Sequence, residues 1–242
     1  MRGAARALSI SVAIAAGVLV CAPSVQTQGP TPIVRLPVGE QLPGLPGRFW
    51  VRLIGDAGRL PQHERLVVLA SDGRVLDVVE GGDDSVVVPE KVDGMLASSD
   101  ARLVLAHNHP ASTSLSGADL AQLDRKNVER VVALGHDGSV YEAMLGAHFS
   151  GPSVGAVLYP QVEARVLARL TMEAARVGAS PRTGYDQFSH LVALVLGRAG
   201  VIDYRFRMSV SATTQYMADA DWIERLVASE ATALTQNLRA RQ

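Results

Sequence analysis

Short apolar runs separated by turn-forming residues fill the stretch from Phe49 to Gly146. FWVRLI (49–54) reads as a strand. HERLVVLA (63–70), SDGR (71–74) and VLDVVE (75–80) read as strand, turn and strand, because Asp72-Gly73 between two β-branched runs signals a hairpin. GGDD marks another turn, and SVVVP (85–89) predicts a short strand. PEKVDGMLASS predicts a helix that Pro89 opens in its first turn. ARLVLA (101–106) predicts a buried strand and runs straight into His107 and His109. SGADLAQLDRKN predicts a helix with Leu120 and Leu123 on one face. VERVVALG, HDGS and VYEAML predict a second strand pair around Asp137-Gly138. This mixture predicts an α/β fold.

After residue 150 the period changes. YPQVEARVLARLTMEAARVG has helical spacing, with Val162, Val166, Leu167, Leu170 and Ala174 on one side. DQFSHLVALVLGRAG predicts a second helix stopping at Gly197 or Gly200, VIDYRFRMSV alternates like a strand, and Ala218 to Arg239 predicts a long terminal helix. Trp222 on that helix reads as a packing anchor. Residues 151–242 are therefore expected to form a mainly helical extension to a domain at 49–150.

The first residues carry a different pattern. Arg2 and Arg6 precede an apolar run from Ala7 to Val20, followed by small residues and prolines. This is the layout of a secretory signal over residues 1–24, with cleavage expected before Val25. The run is short for a spanning helix, although an uncleaved leader would tether the chain to a membrane. Lipidation at Cys21 is disfavoured by the bulky Val20 before it. Residues 25–48 are rich in proline and glycine and read as a linker. Export to the periplasm or beyond is the expectation.

Composition narrows the chemistry. The chain has 242 residues, 48% of them hydrophobic and 19% charged, which fits a globular protein. A net charge of −1 lacks the basic footprint of a nucleic-acid binder. Cys21 is the only cysteine and lies in the predicted leader. A metal site in the rest of the chain must therefore use His, Asp and Glu.

Such residues gather at one place. His107 and His109, two apart at the end of a strand, face the same way. Asp119 falls one turn into the next helix and can point back toward them. Two imidazoles and a carboxylate leave a fourth tetrahedral position open, the composition of a catalytic zinc site. Ser116, three residues before Asp119, reads either as the helix N-cap or as a hydroxyl donor to a developing oxyanion. Histidines at strand ends also serve simply as backbone hydrogen-bond partners. Asn108 points to the opposite sheet face and is given no metal role. His63, His136, His148 and His190 read as surface or turn residues, with His148 the one nearest to a substrate contact.

The string HNHP followed by Ser116-x-x-Asp119 resembles the JAB/MPN (JAMM) metalloprotease family, including its RadC-like and toxin-associated bacterial branches. The resemblance covers roughly Phe49 to Gly146. Six residues separate His109 from Ser116, one fewer than is usual in the eukaryotic members. The resemblance implies a JAB/MPN-like (cytidine-deaminase-like) mixed sheet flanked by helices. It implies Zn2+ held by His107, His109 and Asp119, and an upstream glutamate as general base. Glu64, opening the first hairpin strand, is the choice; Glu80 and Glu90 sit beside turns. Ser116 would then face the oxyanion.

The activity so implied is an exported zinc metallopeptidase or isopeptidase acting on a peptide or protein substrate. The alternative is a JAB-like scaffold that binds a partner without catalysis. A secreted toxin is a third reading, disfavoured by a leader of the general export type. The complete ligand set favours catalysis.

Overall fold

The computed structural model describes residues 61–98 and 102–241. The predicted leader, the linker and the strand at 49–54 lie outside the described residues.

A six-stranded mixed sheet has the order β2-β1-β3-β4-β5-β6. Its strands are β1 (Arg65–Ala70), β2 (Val75–Glu80), β3 (Leu103–His109), β4 (Val128–Gly135), β5 (Val140–Leu145) and β6 (Ile202–Arg207). Only β3 and β4 run parallel; every other neighbouring pair is antiparallel. The helices are α1 (Glu90–Ser98), α2 (Gly117–Ala121), α3 (Tyr159–Arg176), α4 (Arg182–Asp186), α5 (Phe188–Arg198) and α6 (Val210–Arg239).

The Asp-Gly pairs form the two tight turns. Gly73 and Gly138 hold φ near 87° and 88°, a left-handed conformation that suits glycine. The aspartate before each accepts an amide two residues on, from Arg74 at 3.0 Å and from Ser139 at 2.9 Å.

Alternate residues of the sheet supply one helix-covered face. Leu66, Val68, Leu103, Leu105, Val131, Ala133, Tyr141 and Ala143 belong to a single hydrophobic cluster. The same cluster contains Val162, Val166, Leu170 and Ala174 of α3, most of α5, and Trp222, Ile223, Leu226 and Leu234 of α6. One core thus runs from the first hairpin to the last helix. β6 pairs with β5 over six residue positions, Leu145↔Ile202 through Val140↔Arg207, so residues after 150 complete the sheet as well as cover it.

Several sequence expectations are corrected. Residues 85–89 form no strand. Val86 is buried while Val87 is 57% exposed, and Pro89 has no amide to donate. The stretch therefore crosses as an extended connector into α1. Leu167 is 45% exposed and not part of the buried stripe of α3. The helix after Ser116 is only one turn, followed by a 3-10 turn over Gln122–Asp124. It stops there because Asp124 turns to accept from Ser153 Oγ and from the amides of Val154 and Gly155, at 2.6 to 3.0 Å. α6 begins at Val210 rather than Ala218, with Ser209 as N-cap accepting from the Ala212 amide at 3.1 Å. Its first turns carry exposed Val210 and Met217, which hide the apolar period.

Candidate metal centre

The sheet brings the four predicted metal and base residues together. His107 and His109 end β3 on its helix-covered face, where Leu66 of β1 is the register partner of His107. Glu64 immediately precedes β1, and Asp119 lies in α2, the first element of the crossover from β3 to β4. All four are buried, from 2% exposed at Glu64 and Asp119 to 8% at His109.

Donor atoms of Glu64, His107 and His109 lie within 4.8 Å of one another. The two Nε2 atoms are 2.8 Å apart. Asp119 reaches the same atoms, with Oδ1 at 3.1 Å from His107 Nε2 and Oδ2 at 3.6 Å from His109 Nε2. His109 Nδ1 is 2.8 Å from the Thr113 carbonyl oxygen. A carbonyl can only accept, so Nδ1 carries the proton and the lone pair of a neutral His109 lies on Nε2. Fixing a ring by its other nitrogen is the usual outer support of a metal-ligating histidine.

The electrostatics are those of a crowded anionic pocket. Burial pushes the Glu64 carboxyl up to about 7, with the charge of His107 opposing and that of Asp119 adding to the rise. Burial works against a charged His107, but Asp119 and Glu64 beside it outweigh that and hold its pKa above the ordinary value. Burial and the neighbouring His107 push His109 down to about 4. Burial would raise Asp119, yet the two imidazoles and the Ser116 amide hold it well below the usual carboxylate range. The pocket thus gathers carboxylate oxygens and the His109 Nε2 lone pair around His107 Nε2. Glu64 Oε1 is buried without a hydrogen-bond partner. An orphaned carboxylate oxygen beside converging imidazoles fits a divalent cation chemically, since burying such groups unpaired is costly.

Ser116 is the N-cap of α2. Its amide donates to Asp119 Oδ2 at 2.6 Å, and the Asp119 amide donates to Ser116 Oγ at 3.2 Å. This reciprocal cap aims the Asp119 carboxylate. It is the N-cap that the sequence predicted for Ser116.

The rivals fall elsewhere. Glu80 pairs with Arg65 on the surface at 2.7 Å, and Glu90 is exposed at the start of α1. His63 is exposed and pairs with Asp83, and His148 is exposed in the loop after β5. His190 departs from the surface expectation. It is 1% exposed, its ring packed among Tyr141, Tyr204, Phe206 and Tyr216.

Asn108, on the opposite face as expected, has a role that sequence reasoning missed. The β1–β3 register ends at Leu66↔His107, and beyond it the Asn108 side chain takes over. Oδ1 accepts from the Arg65 amide at 2.9 Å, and Nδ2 donates to the His63 carbonyl at 3.0 Å. These are the two neighbours of Glu64. On the other side, Glu64 exchanges backbone hydrogen bonds with Gly81 and Gly82, both 2.7 Å. A Cβ on Gly81 would sit 2.4 Å from the Ser85 carbonyl oxygen and 2.9 Å from that of Glu64, so only glycine permits this approach. The glutamate is held from both sides. The double glycine was the only available sequence signal, and it read simply as a turn.

No protein-family model, curated protein or solved structure matches this chain, so the residues themselves carry the functional argument.

Proposed function

We propose that this protein is an exported zinc-dependent peptidase or isopeptidase of the JAB/MPN type. One observation carries the reading: Glu64, His107, His109 and Asp119 converge from β1, β3 and α2 on one buried point, with the two Nε2 atoms facing each other at 2.8 Å. Neutral imidazole with carboxylate, and no thiolate, is a donor set that suits zinc with an open coordination position.

In this reading His107, His109 and Asp119 are the ligands. Zinc, if bound by these residues, would supply a Lewis acid for an amide carbonyl and would make a water molecule more acidic. Glu64 takes the proton from the attacking water and returns it to the leaving amine. Ser116 donates its hydroxyl proton to the carbonyl oxygen as negative charge develops. Thr113 and the Ser116 amide hold His109 and Asp119 in place throughout. The substrate class is a peptide or isopeptide amide, and the helical layer of residues 151–242 backs the site.

The test is elemental analysis of the full chain purified without chelator, beside His107→Ala/His109→Ala. The expected result is about one zinc per chain, lost in the double variant. A hydrolysis screen then uses Glu64→Ala as the inactive control. No bound metal, even after reconstitution with zinc, would sink catalysis and leave a binding scaffold.

A further inference from the structure

The loop from Pro110 to Ser116 supplies contacts that aim the ligand set. The Thr113 carbonyl accepts from His109 Nδ1, and the Ser116 amide donates to Asp119 Oδ2. Two bonds tie the first part of the loop. The Ser112 amide donates to the His109 carbonyl, and the Asp137 amide donates to Ser112 Oγ, both at 2.9 Å. Ser112 itself is left-handed at φ 58°, an uncommon conformation for serine that neighbours must maintain.

A third tie comes from the C-terminal part of the chain. Ser114 Oγ lies 2.7 Å from the Tyr204 hydroxyl on β6, and that hydroxyl lies 2.8 Å from His190 Nδ1 on α5. Ser114 and His190 are 3% and 1% exposed, so neither has water as a ready substitute. Burial keeps His190 neutral and the Tyr204 phenol protonated. Tyr204 therefore joins two neutral partners, one of them in the loop between Thr113 and Ser116. Tyr216, in the same hydrophobic cluster, instead gives its hydroxyl to Glu224, away from the loop.

We propose that Tyr204 is a positioning residue for the metal centre: through Ser114 it fixes the 110–116 loop, and through the Thr113 carbonyl it holds His109 with Nε2 aimed at the ligand cluster. The proposal rests on the metal reading above. It gives the C-terminal layer a specific part in the site, separate from its share of the core. Outer contacts of this kind contribute about 10–100-fold to metal affinity.

The experiment measures zinc affinity of the full-length protein by competition with a chromophoric chelator. Amide exchange across 110–116 is followed in the metal-free form. Tyr204→Phe, Ser114→Ala, their combination and Tyr216→Phe are compared with wild type. Tyr204→Phe and Ser114→Ala should each weaken zinc binding about 10–100-fold and speed exchange in the loop. The combined variant should bind no worse than either single one, because both remove the same link. Tyr216→Phe, which also removes a buried hydroxyl, should leave zinc affinity unchanged. Wild-type affinity in Tyr204→Phe overturns the proposal alone, and so does equal weakening in Tyr216→Phe. A wild-type protein that takes up no zinc overturns the metal reading and this proposal together. Should Tyr204→Phe fail to fold, Ser114→Ala carries the same test.

Discussion

Among the described residues, two clusters of buried charge are finished differently. Between α3 and α6, Glu173 and Glu230 are each 3% exposed. Arg169 reaches Glu230 at 2.6 Å, Glu173 at 2.7 Å and Ser229 at 2.8 Å. Arg165 adds a second bond to Glu230 and Arg176 one to Glu173. Both carboxylates have guanidinium partners supplied by the chain. At the end of β1 and β3, Glu64 and Asp119 are equally buried but face imidazoles, and Glu64 Oε1 is left without a hydrogen bond. A closed set of charges holds two helices together. The second set gathers carboxylates and imidazoles around one point, a donor set able to hold a metal ion. The two clusters are equally buried and differ in the partners that face their carboxylates, guanidinium groups in one and imidazoles in the other.

The sharpest way to break this comparison is Arg169→Ala. It strips a shared partner from two buried carboxylates and should cost about 3 kcal/mol, the low end for a broken buried pair because Arg165 and Arg176 remain. Denaturant unfolding would show that loss, while zinc uptake should stay at the wild-type level. Lost zinc uptake in a folded Arg169→Ala would mean that the two clusters are not independent.

Asn108→Ala acts on the open cluster from behind. It leaves the Arg65 amide and His63 carbonyl without their side-chain partner, at about 2 kcal/mol. Its mark should be selective. Zinc should still bind through His107 and His109, and hydrolysis should fall as Glu64 loses its fixed backbone. Wild-type turnover in that variant would remove Asn108 from the account.

A pH dependence in metal-free protein tests the open cluster by titration. Glu64 has its ordinary value of 4.5 raised to about 7 in the fold. The folded state therefore binds this proton more tightly than the unfolded chain does. The associated stability is present below pH 4.5 and is lost as pH rises through about 7. Glu64→Gln keeps the shape and removes the titration. The stability difference between Glu64→Gln and wild type should grow in favour of the variant from pH 4.5 to above 7. A flat difference would place Glu64 in contact with solvent.

Much of this was legible in the chain. The strand Leu103–His109 and the stripe Val162, Val166, Leu170 are buried as their patterns predict, and the two Asp-Gly pairs turn the chain where expected. His107, His109 and Asp119 were legible because strand alternation and one helical turn relate them, whereas Glu64, on another strand, was reached only through the family resemblance. What stayed hidden depends on contacts between distant parts. Asn108 alternates to the far face and looks inert until β1 parts from β3 beside it. Thr113 meets His109 Nδ1 through its carbonyl and its hydroxyl, contacts that depend on how the loop folds back. The burial of His190 follows from β6 joining β5, a pairing no local pattern encodes. The early start of α6 rests on the cap Ser209 under an exposed first turn.

The pairing of β6 with β5 has a consequence for how this protein is made. As the chain emerges during synthesis, the ligand-bearing strands are complete long before β6 appears. Until then β5 is a bare edge, with unpaired amides and carbonyls open to any neighbouring chain. A fragment ending near Leu145 would keep every ligand of the site and still expose that edge. Expressed alone it should aggregate, so the site cannot be lifted out of this protein as a minimal unit.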